Sequence, residues 1–210
     1  MLISIFALLL VVLAGNAIYF RQNNVLYPIL KPITTILIIS LAIILNVEID
    51  TSYGWTVIVG LSFALVGDIF LLKNKWFVYG LLAFLLAHIV FIYAFSLLFG
   101  FQDNLVILLT LFVIGFFYFR FLLPHLKSLA IPVAFYFLAI IMMGWQAVGL
   151  SISGNASIYY LLGLSSILFS FSDALIAYNK FVKKIKAAEL LILSSYWVAI
   201  FIISASIAVV

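Results

Sequence analysis

The chain has 210 residues, of which 69% are hydrophobic and only 8% are charged. Soluble domains are usually about 45–50% apolar and about 25% charged, so the composition excludes a soluble globular protein and a disordered one. With a mean hydropathy of +1.43, most of the surface must be solvated by lipid. The net charge of +4 does not indicate nucleic-acid binding, because the basic residues lie in short loops and form no stripe.

Eight apolar segments are long enough to cross a bilayer as helices, which takes about 20 residues. They cover residues 2–20, 32–47, 55–72, 76–99, 104–123, 129–150, 157–178 and 187–209. The first has no Lys or Arg before its apolar run, so we expect it to remain as a helix and not to be cleaved. The pattern predicts an all-α polytopic membrane protein in which residues 1–210 form a single eight-helix transmembrane domain.

The charged residues alternate between the loops that join these segments. Loops one, three, five and seven hold all ten cations: Arg21, Lys31, Lys73, Lys75, Arg120, Lys127, Lys180, Lys183, Lys184 and Lys186. Loops two, four and six hold Glu48, Asp50 and Asp103 instead. The positive-inside rule then places the odd loops in the cytoplasm and both termini on the non-cytoplasmic side. We expect an integral multi-pass protein of the plasma membrane, which is the inner membrane in a bacterium.

Ionisable residues within or at the ends of the predicted spans include Asp68, His88, Lys31 and Asp173, whereas Glu189 is only at the edge of the last span, beside the lysines. An aspartate at the bilayer centre costs about 2.5–3.5 kcal/mol, so such residues normally face a cavity and have a function. Asp68 lies five residues from Lys73, roughly 7 Å below the cytoplasmic edge. Asp173 lies seven residues before the cytoplasmic lysines, roughly 10 Å deep. The matched depths predict a shared site near the cytoplasmic leaflet.

Structural interpretations of the same residues stay open. Asp68 is able to cap a helix end or to pair with Lys73, and Asp173 to pair with Lys31. His88 is able to hydrogen-bond between helices without any part in chemistry.

The two aspartates also suggest an internal duplication. They are 105 residues apart, half the chain length, and each follows a Gly-Leu-Ser triplet, at 60–62 and 163–165. This weak pattern predicts a parallel four-plus-four repeat that relates helices three and seven. His88 does not follow it, because the residue 105 positions later is Leu193.

Several motifs are spread over about residues 27–200. They are Lys31-Pro32-Ile33-Thr34-Thr35, Gly67-Asp68, Phe77…Gly80-Leu81-Leu82-Ala83-Phe84…Ala87-His88…Tyr93, Pro132-Val133…Tyr136, Phe171-Ser172-Asp173-Ala174-Leu175 and Tyr196. Together these motifs resemble the YhhN family of lysoplasmalogenases. One departure is Trp197, where family members often have Gln after the tyrosine. The resemblance implies an eight-helix enzyme that hydrolyses the vinyl-ether bond of lysoplasmalogens. Its products are a fatty aldehyde and glycerophospho-ethanolamine or -choline.

The implied chemistry suits two carboxyl groups. A vinyl ether is cleaved by protonating its β-carbon, after which water adds to the oxocarbenium ion, as in inverting glycosidases. We therefore expect Asp68 and Asp173 to be the catalytic acid and base, sharing one proton, in an unassigned order. Supporting residues are His88, Ser172 and Tyr196, and expected substrate-binding residues are Lys31 for the phosphate, Tyr93 and Tyr136.

We expect the partners to be the lysophospholipid substrate and the bilayer. The sequence indicates neither a cofactor nor an obligate protein partner. Cysteine is absent and only two histidines occur, so no metal site is expected.

The alternative class is a proton-coupled transporter of lipids or small molecules, since paired intramembrane carboxylates suit that role too. A scaffold or sensor without turnover is a third class. Aldehyde release by purified protein discriminates the enzyme from both, and gradient-dependent substrate movement identifies the transporter.

Overall fold

The computed structural model describes residues 1–154 and 156–209. Within them the chain forms eight α-helices: α1 (Leu2–Tyr19), α2 (Leu26–Ile49), α3 (Ser52–Leu71), α4 (Phe77–Phe99), α5 (Leu105–Leu126), α6 (Ala130–Ser153), α7 (Ser157–Phe181) and α8 (Ala188–Ala205). Short 3₁₀ turns follow α3, α5 and α8. No strand occurs in this described part of the chain, and the all-α prediction is confirmed.

Seven helical segments among these residues are long and apolar enough to cross a membrane. One of them, Leu105–Ser153, is 49 residues long and joins α5 to α6 through the 3₁₀ turn. It is folded back on itself. The ring centroids of Phe119 and Phe137 are 5.8 Å apart, and the Trp145 indole donates to the Asn104 carbonyl at 2.9 Å. The segment is therefore an antiparallel helical hairpin.

Helix α2 begins six residues before the predicted start at residue 32. The Asn23 side chain accepts hydrogen bonds from the backbone N–H groups of Val25 and Leu26, at 2.9 Å each, which satisfies free donors at this end. Pro32 consequently lies inside the helix and not at its first turn. The difference matters for Lys31, because an earlier start places this residue more than one turn inside α2, where its side chain is buried.

Helices α3 and α4 pack closely because α3 carries glycines where α4 carries phenylalanines. A Cβ atom on Gly60 would lie 2.5 Å from the Phe91 ring, and one on Gly67 would lie 2.6 Å from the Phe84 ring. Small residues permit this approach between membrane helices. Gly67 directly precedes Asp68, so the close packing fixes this part of α3 against α4.

Most helices pack against their neighbours along the chain. Sequential neighbours pack from α1 to α4 and again from α5 to α8, while α2–α8 and α4–α6 contacts join the halves. Helices α1 and α5 are peripheral, and apolar side chains such as Val11, Phe112 and Phe117 are exposed on them. These faces suit contact with lipid.

Candidate functional site

Asp68 of α3 and Asp173 of α7 line the same small cavity, although they lie on different helices. The cavity has a volume of about 10 Å³, close to the minimum that holds one water molecule. Its other polar lining residues are Lys31, Ser172 and Tyr196. The structure thus brings the two predicted catalytic residues together at a site with room for a single water.

Three side chains from two other helices, one ammonium and two hydroxyl groups, contact the carboxyl group of Asp68. The Lys31 ammonium lies 3.3 Å from Oδ1, while the hydroxyls of Thr35 and Tyr196 donate to Oδ2 at 2.7 and 2.9 Å. All four residues are buried. The Asp68 carboxyl group therefore faces a cation and two hydroxyl donors.

A second layer of contacts holds this arrangement in place. The indole N–H of Trp197 donates to Thr35 Oγ1 at 3.2 Å, so the threonine hydroxyl is free to direct its own proton at Asp68. Trp197 occupies the position at which members of the family that the motifs resemble often have Gln. Here the indole supplies a hydrogen-bond donor from that position on α8.

Asp173 has a different partner. Its Oδ2 atom lies 3.3 Å from Nε2 of His88 on α4. Both atoms are buried, and neither makes a hydrogen bond of good geometry within the described residues. The imidazole is fixed by its other nitrogen, since Nδ1 lies 2.7 Å from the Phe84 carbonyl oxygen. It also packs against the Phe169 ring at 4.7 Å.

These contacts restrict where protons sit. A carbonyl oxygen only accepts, so His88 Nδ1 must carry a proton. In a neutral ring, the Nε2 atom then carries a lone pair, which is directed at a carboxyl oxygen of Asp173. Two lone pairs at this separation repel, so the His88–Asp173 pair is stable when one proton lies on either atom.

A larger apolar cavity of about 530 Å³ is also lined by Asp173. It lies between α4, α5, α6 and α7, and its lining includes Tyr118, Tyr136 and Phe171. Its volume is in the usual range for ligand pockets, about 300–1,000 Å³. Asp68 does not line it, so an apolar ligand in this cavity meets Asp173 first.

The remaining predicted residues separate into two groups. Ser172 donates to the Ile192 carbonyl at 3.0 Å and joins α7 to α8, while Tyr136 lines the larger cavity beside the His88 ring. Tyr93 is 55% exposed and lines neither cavity. Lys31 is not at an open cytoplasmic edge but is buried against Asp68.

Two contributors to the site, Thr35 and Trp197, were not assigned from the sequence. Thr35 follows Lys31 by four residues, which puts both on one helix face and is a usable signal. No sequence signal indicates the donor role of Trp197, because its acceptor is on a distant helix. Across residues 1–154 and 156–209, no group of three or more potential ligands is placed to hold a metal ion.

The chain is similar to several known proteins. The rat protein named Lysoplasmalogenase TMEM86B is 34% identical over 149 residues, which is 70% of this chain and 59% of the rat protein. The bovine Lysoplasmalogenase TMEM86A is 32% identical over 157 residues, covering 71% and 64%. A Lysoplasmalogenase homolog of Dictyostelium discoideum is 35% identical over 106 residues, covering 46% and 35%.

The matched region spans about three fifths of the rat and bovine relatives. No solved structure matches the chain. The family model of the YhhN family matches residues 26–207, which include every residue of the site described above. Together with the apolar helices, this match shows that the chain is an integral membrane protein that belongs to the YhhN family.

Proposed function

We propose that this protein is a lysoplasmalogenase, which hydrolyses the vinyl-ether bond of an alkenyl-glycerophospholipid. The products are a fatty aldehyde and the glycerophospho-ethanolamine or -choline. Its similarity to proteins named lysoplasmalogenase supports a hydrolase of vinyl-ether lipids. The observation that carries the proposal is the small cavity that Asp68 and Asp173 line together.

The first step is proton transfer to the substrate from the His88–Asp173 pair. Asp173 lines the larger apolar cavity, which is suited to hold the alkenyl chain. The proton of the pair forms the new C–H bond at the β-carbon, and the vinyl π electrons provide that bond. An oxocarbenium ion results. Asp173 is left as a carboxylate beside a neutral imidazole, so its negative charge stabilises the adjacent cation.

The second step is addition of water from the small cavity. Asp68 lines this cavity and accepts the water proton as the oxygen bonds to the oxocarbenium carbon. Lys31, Thr35 and Tyr196 hold the carboxylate in place for this role. The hemiacetal then collapses: Asp68 gives its proton to the glycerol oxygen as the C–O bond breaks, and the hemiacetal hydroxyl returns a proton to the His88–Asp173 pair. Aldehyde and alcohol then separate.

The topology we propose has eight membrane crossings. The α5–α6 hairpin contributes two, because each arm is long enough to cross by itself. An even number of crossings puts both termini on one side. The positive-inside rule makes this the non-cytoplasmic side, and it places the aspartates near the cytoplasmic leaflet of the plasma membrane.

A parallel four-plus-four repeat is part of the proposal. In its support, α1–α2, α2–α3 and α3–α4 packing corresponds to α5–α6, α6–α7 and α7–α8 packing, and α2–α8 corresponds to α6–α4. The same 105-residue offset that relates Asp68 to Asp173 relates Lys31 to Tyr136. Tyr136 lines a cavity with Asp173, as Lys31 does with Asp68.

The test is aldehyde release from 1-alkenyl-glycerophosphoethanolamine by purified protein in detergent. Wild type should release aldehyde, and Asp68→Asn and Asp173→Asn should each lose nearly all of that activity. Asp103→Asn is the matched control, because Asp103 is exposed and lies outside both cavities. Full activity in either site variant would remove that aspartate from the mechanism. Absence of aldehyde from folded wild type, with proton-driven lipid uptake in vesicles, would favour the transporter instead.

A further inference from the structure

The larger cavity extends in two directions from Asp173 along α7. Ser166, Ser170, Asp173, Ala177 and Phe181 all line it, which is the spacing of one helix face. The part beyond Ser166 reaches towards the non-cytoplasmic side. The part beyond Ala177 reaches the end of α7, where the cytoplasmic lysines begin. A single-chain lipid with its reactive bond at Asp173 therefore has an apolar space on one side and an exit towards positive charge on the other.

Lys180 lies at that cytoplasmic end, on the same face of α7 as Asp173. Two turns separate them, or roughly 10 Å. The Lys180 ammonium lies 4.7 Å from the centroid of the Phe77 ring, and Phe77 and Phe181, which both line the cavity, are in edge-to-face contact. Lys180 is thus held over the rim of the cavity by an aromatic pair.

A hydrogen bond fixes the ammonium further. Lys180 Nζ donates to Asn74 Oδ1 at 3.1 Å, across from α7 to the turn that follows α3. With its oxygen engaged in this way, the Asn74 amide has its NH₂ group left to donate. The rim therefore presents an ammonium and an amide N–H side by side, a pair that suits an anionic oxygen.

Neighbouring lysines do not share this position. Lys183, Lys184 and Lys186 are exposed, whereas Lys180 is partly buried. Lys73 and Lys75 lie over the Trp76 ring, at 4.8 and 5.1 Å from its centroid. Lys31, expected from the sequence to bind the phosphate, is engaged with Asp68 at 3.3 Å.

We propose that Lys180, with Asn74, binds the phosphodiester of the lysolipid headgroup at the cytoplasmic rim of the larger cavity. The glycerol backbone then spans the distance from the rim to Asp173, and the hydrocarbon chain occupies the inner part of the cavity. This inference rests on the proposed function for the identity of the lipid. The chemistry of the site requires only a single-chain lipid with a phosphodiester.

The test measures binding and turnover separately in a neutral detergent free of anionic lipid. Binding uses the non-hydrolysable 1-alkyl-glycerophosphoethanolamine, titrated by calorimetry. Turnover uses the alkenyl phospholipid and, for comparison, a phosphate-free alkenylglycerol with the same chain. The variants are Lys180→Gln, Lys180→Arg and, as matched control, Lys184→Gln. The control removes the same charge from a nearby exposed position.

In Lys180→Gln, we expect the Kd of the alkyl phospholipid and the KM of the alkenyl phospholipid to rise about five- to tenfold. The kcat value should change less than twofold, and so should the KM measured with the phosphate-free alkenylglycerol. Lys180→Arg should restore most of the affinity, and Lys184→Gln should behave as wild type. A merely structural role of Lys180 would affect both turnover substrates equally.

The proposed site and the proposed function fail in different ways. Unchanged Kd and KM in Lys180→Gln, with active wild type, would overturn the phosphate site and leave the hydrolase intact. That result would also be expected if Lys180 bound anionic bilayer lipid only. Wild type that binds the alkyl lipid through Lys180 but releases no aldehyde would overturn the hydrolase and retain the site.

Discussion

His88 Nε2 faces Asp173 Oδ2 at 3.3 Å, while Nδ1 of the same ring is held by the Phe84 carbonyl at 2.7 Å. The second contact fixes the tautomer, so a proton between the two side chains would turn the first contact into a hydrogen bond. Asp68 is different, because all its partners are donors or a cation. This difference supports assigning the acid role to Asp173 and the base role to Asp68, an order that the sequence left open.

Replacing His88 should remove the proton-holding pair. We expect His88→Gln to lower kcat for aldehyde release about 100-fold or more, in the range typical of lost general acid catalysis. The matched control is His125→Gln, since His125 is exposed and lies outside both cavities. Thermal unfolding in detergent reports whether the variant is folded. A folded His88→Gln protein with wild-type kcat would contradict the role of the pair.

The proposed order of steps has an isotopic signature. Protonation at the vinyl β-carbon places one solvent hydrogen on the carbon next to the aldehyde group. Reaction in D₂O should therefore give an aldehyde with one deuterium at that carbon, read by mass spectrometry after immediate reduction to the alcohol. The unlabelled aldehyde incubated alone in D₂O is the control for exchange. An aldehyde without deuterium would exclude β-carbon protonation.

Hydropathy and loop charge were sufficient to predict an all-helical membrane protein, because uniformly apolar segments of this length have few other stable forms. The same uniformity hides which helix face points inwards. Tyr93 illustrates this, since it was expected at the site and is instead exposed on α4. The small cavity also depends on contacts between α2, α3, α7 and α8, which no local pattern encodes.

Lys31 shows how a helix boundary changes an interpretation. With α2 starting at residue 32, this lysine would lie at the membrane edge, free to bind a phosphate. The observed start at Leu26 buries it beside Asp68. The Lys-Pro pair suggested the start, but Pro32 is accommodated within the helix, where Pro28 and the Asn23 cap precede it.

The buried pair of Lys31 and Asp68 predicts strong coupling in stability. Lys31→Met leaves a buried carboxylate without its cation and should lower the free energy of unfolding by about 3–5 kcal/mol. Adding Asp68→Asn removes the unpaired charge, so the double variant should recover more than half of this loss. Denaturant unfolding in mild detergent measures both changes. A double variant as unstable as the sum of the two single variants would contradict the ion pair.

Filling the larger cavity should affect long-chain substrates more than short ones. Gly144 of α6 lines this cavity, and an added Cβ there meets only Leu111 Cδ1, at 3.3 Å. Gly144→Leu should therefore raise KM for a long alkenyl chain about fivefold more than for a short one, because the leucine occupies the space for the chain. Gly15→Leu is the control, since a side chain on Gly15 of α1 meets nothing within 4 Å. Equal effects on both chain lengths would place the chain elsewhere.

The absence of cysteine from the sequence permits a direct test of the eight crossings. Lys127, Lys184 and Asp103 are each replaced by a single cysteine, and intact cells are treated with an impermeant maleimide. Labelling of each variant should then depend on the side of the membrane on which its cysteine lies. The hairpin predicts that Lys127→Cys and Lys184→Cys are protected in intact cells and labelled after permeabilisation, because α5 and α6 each cross. Asp103→Cys should be labelled in intact cells. Labelling of Lys127→Cys from outside would mean that the hairpin does not cross twice.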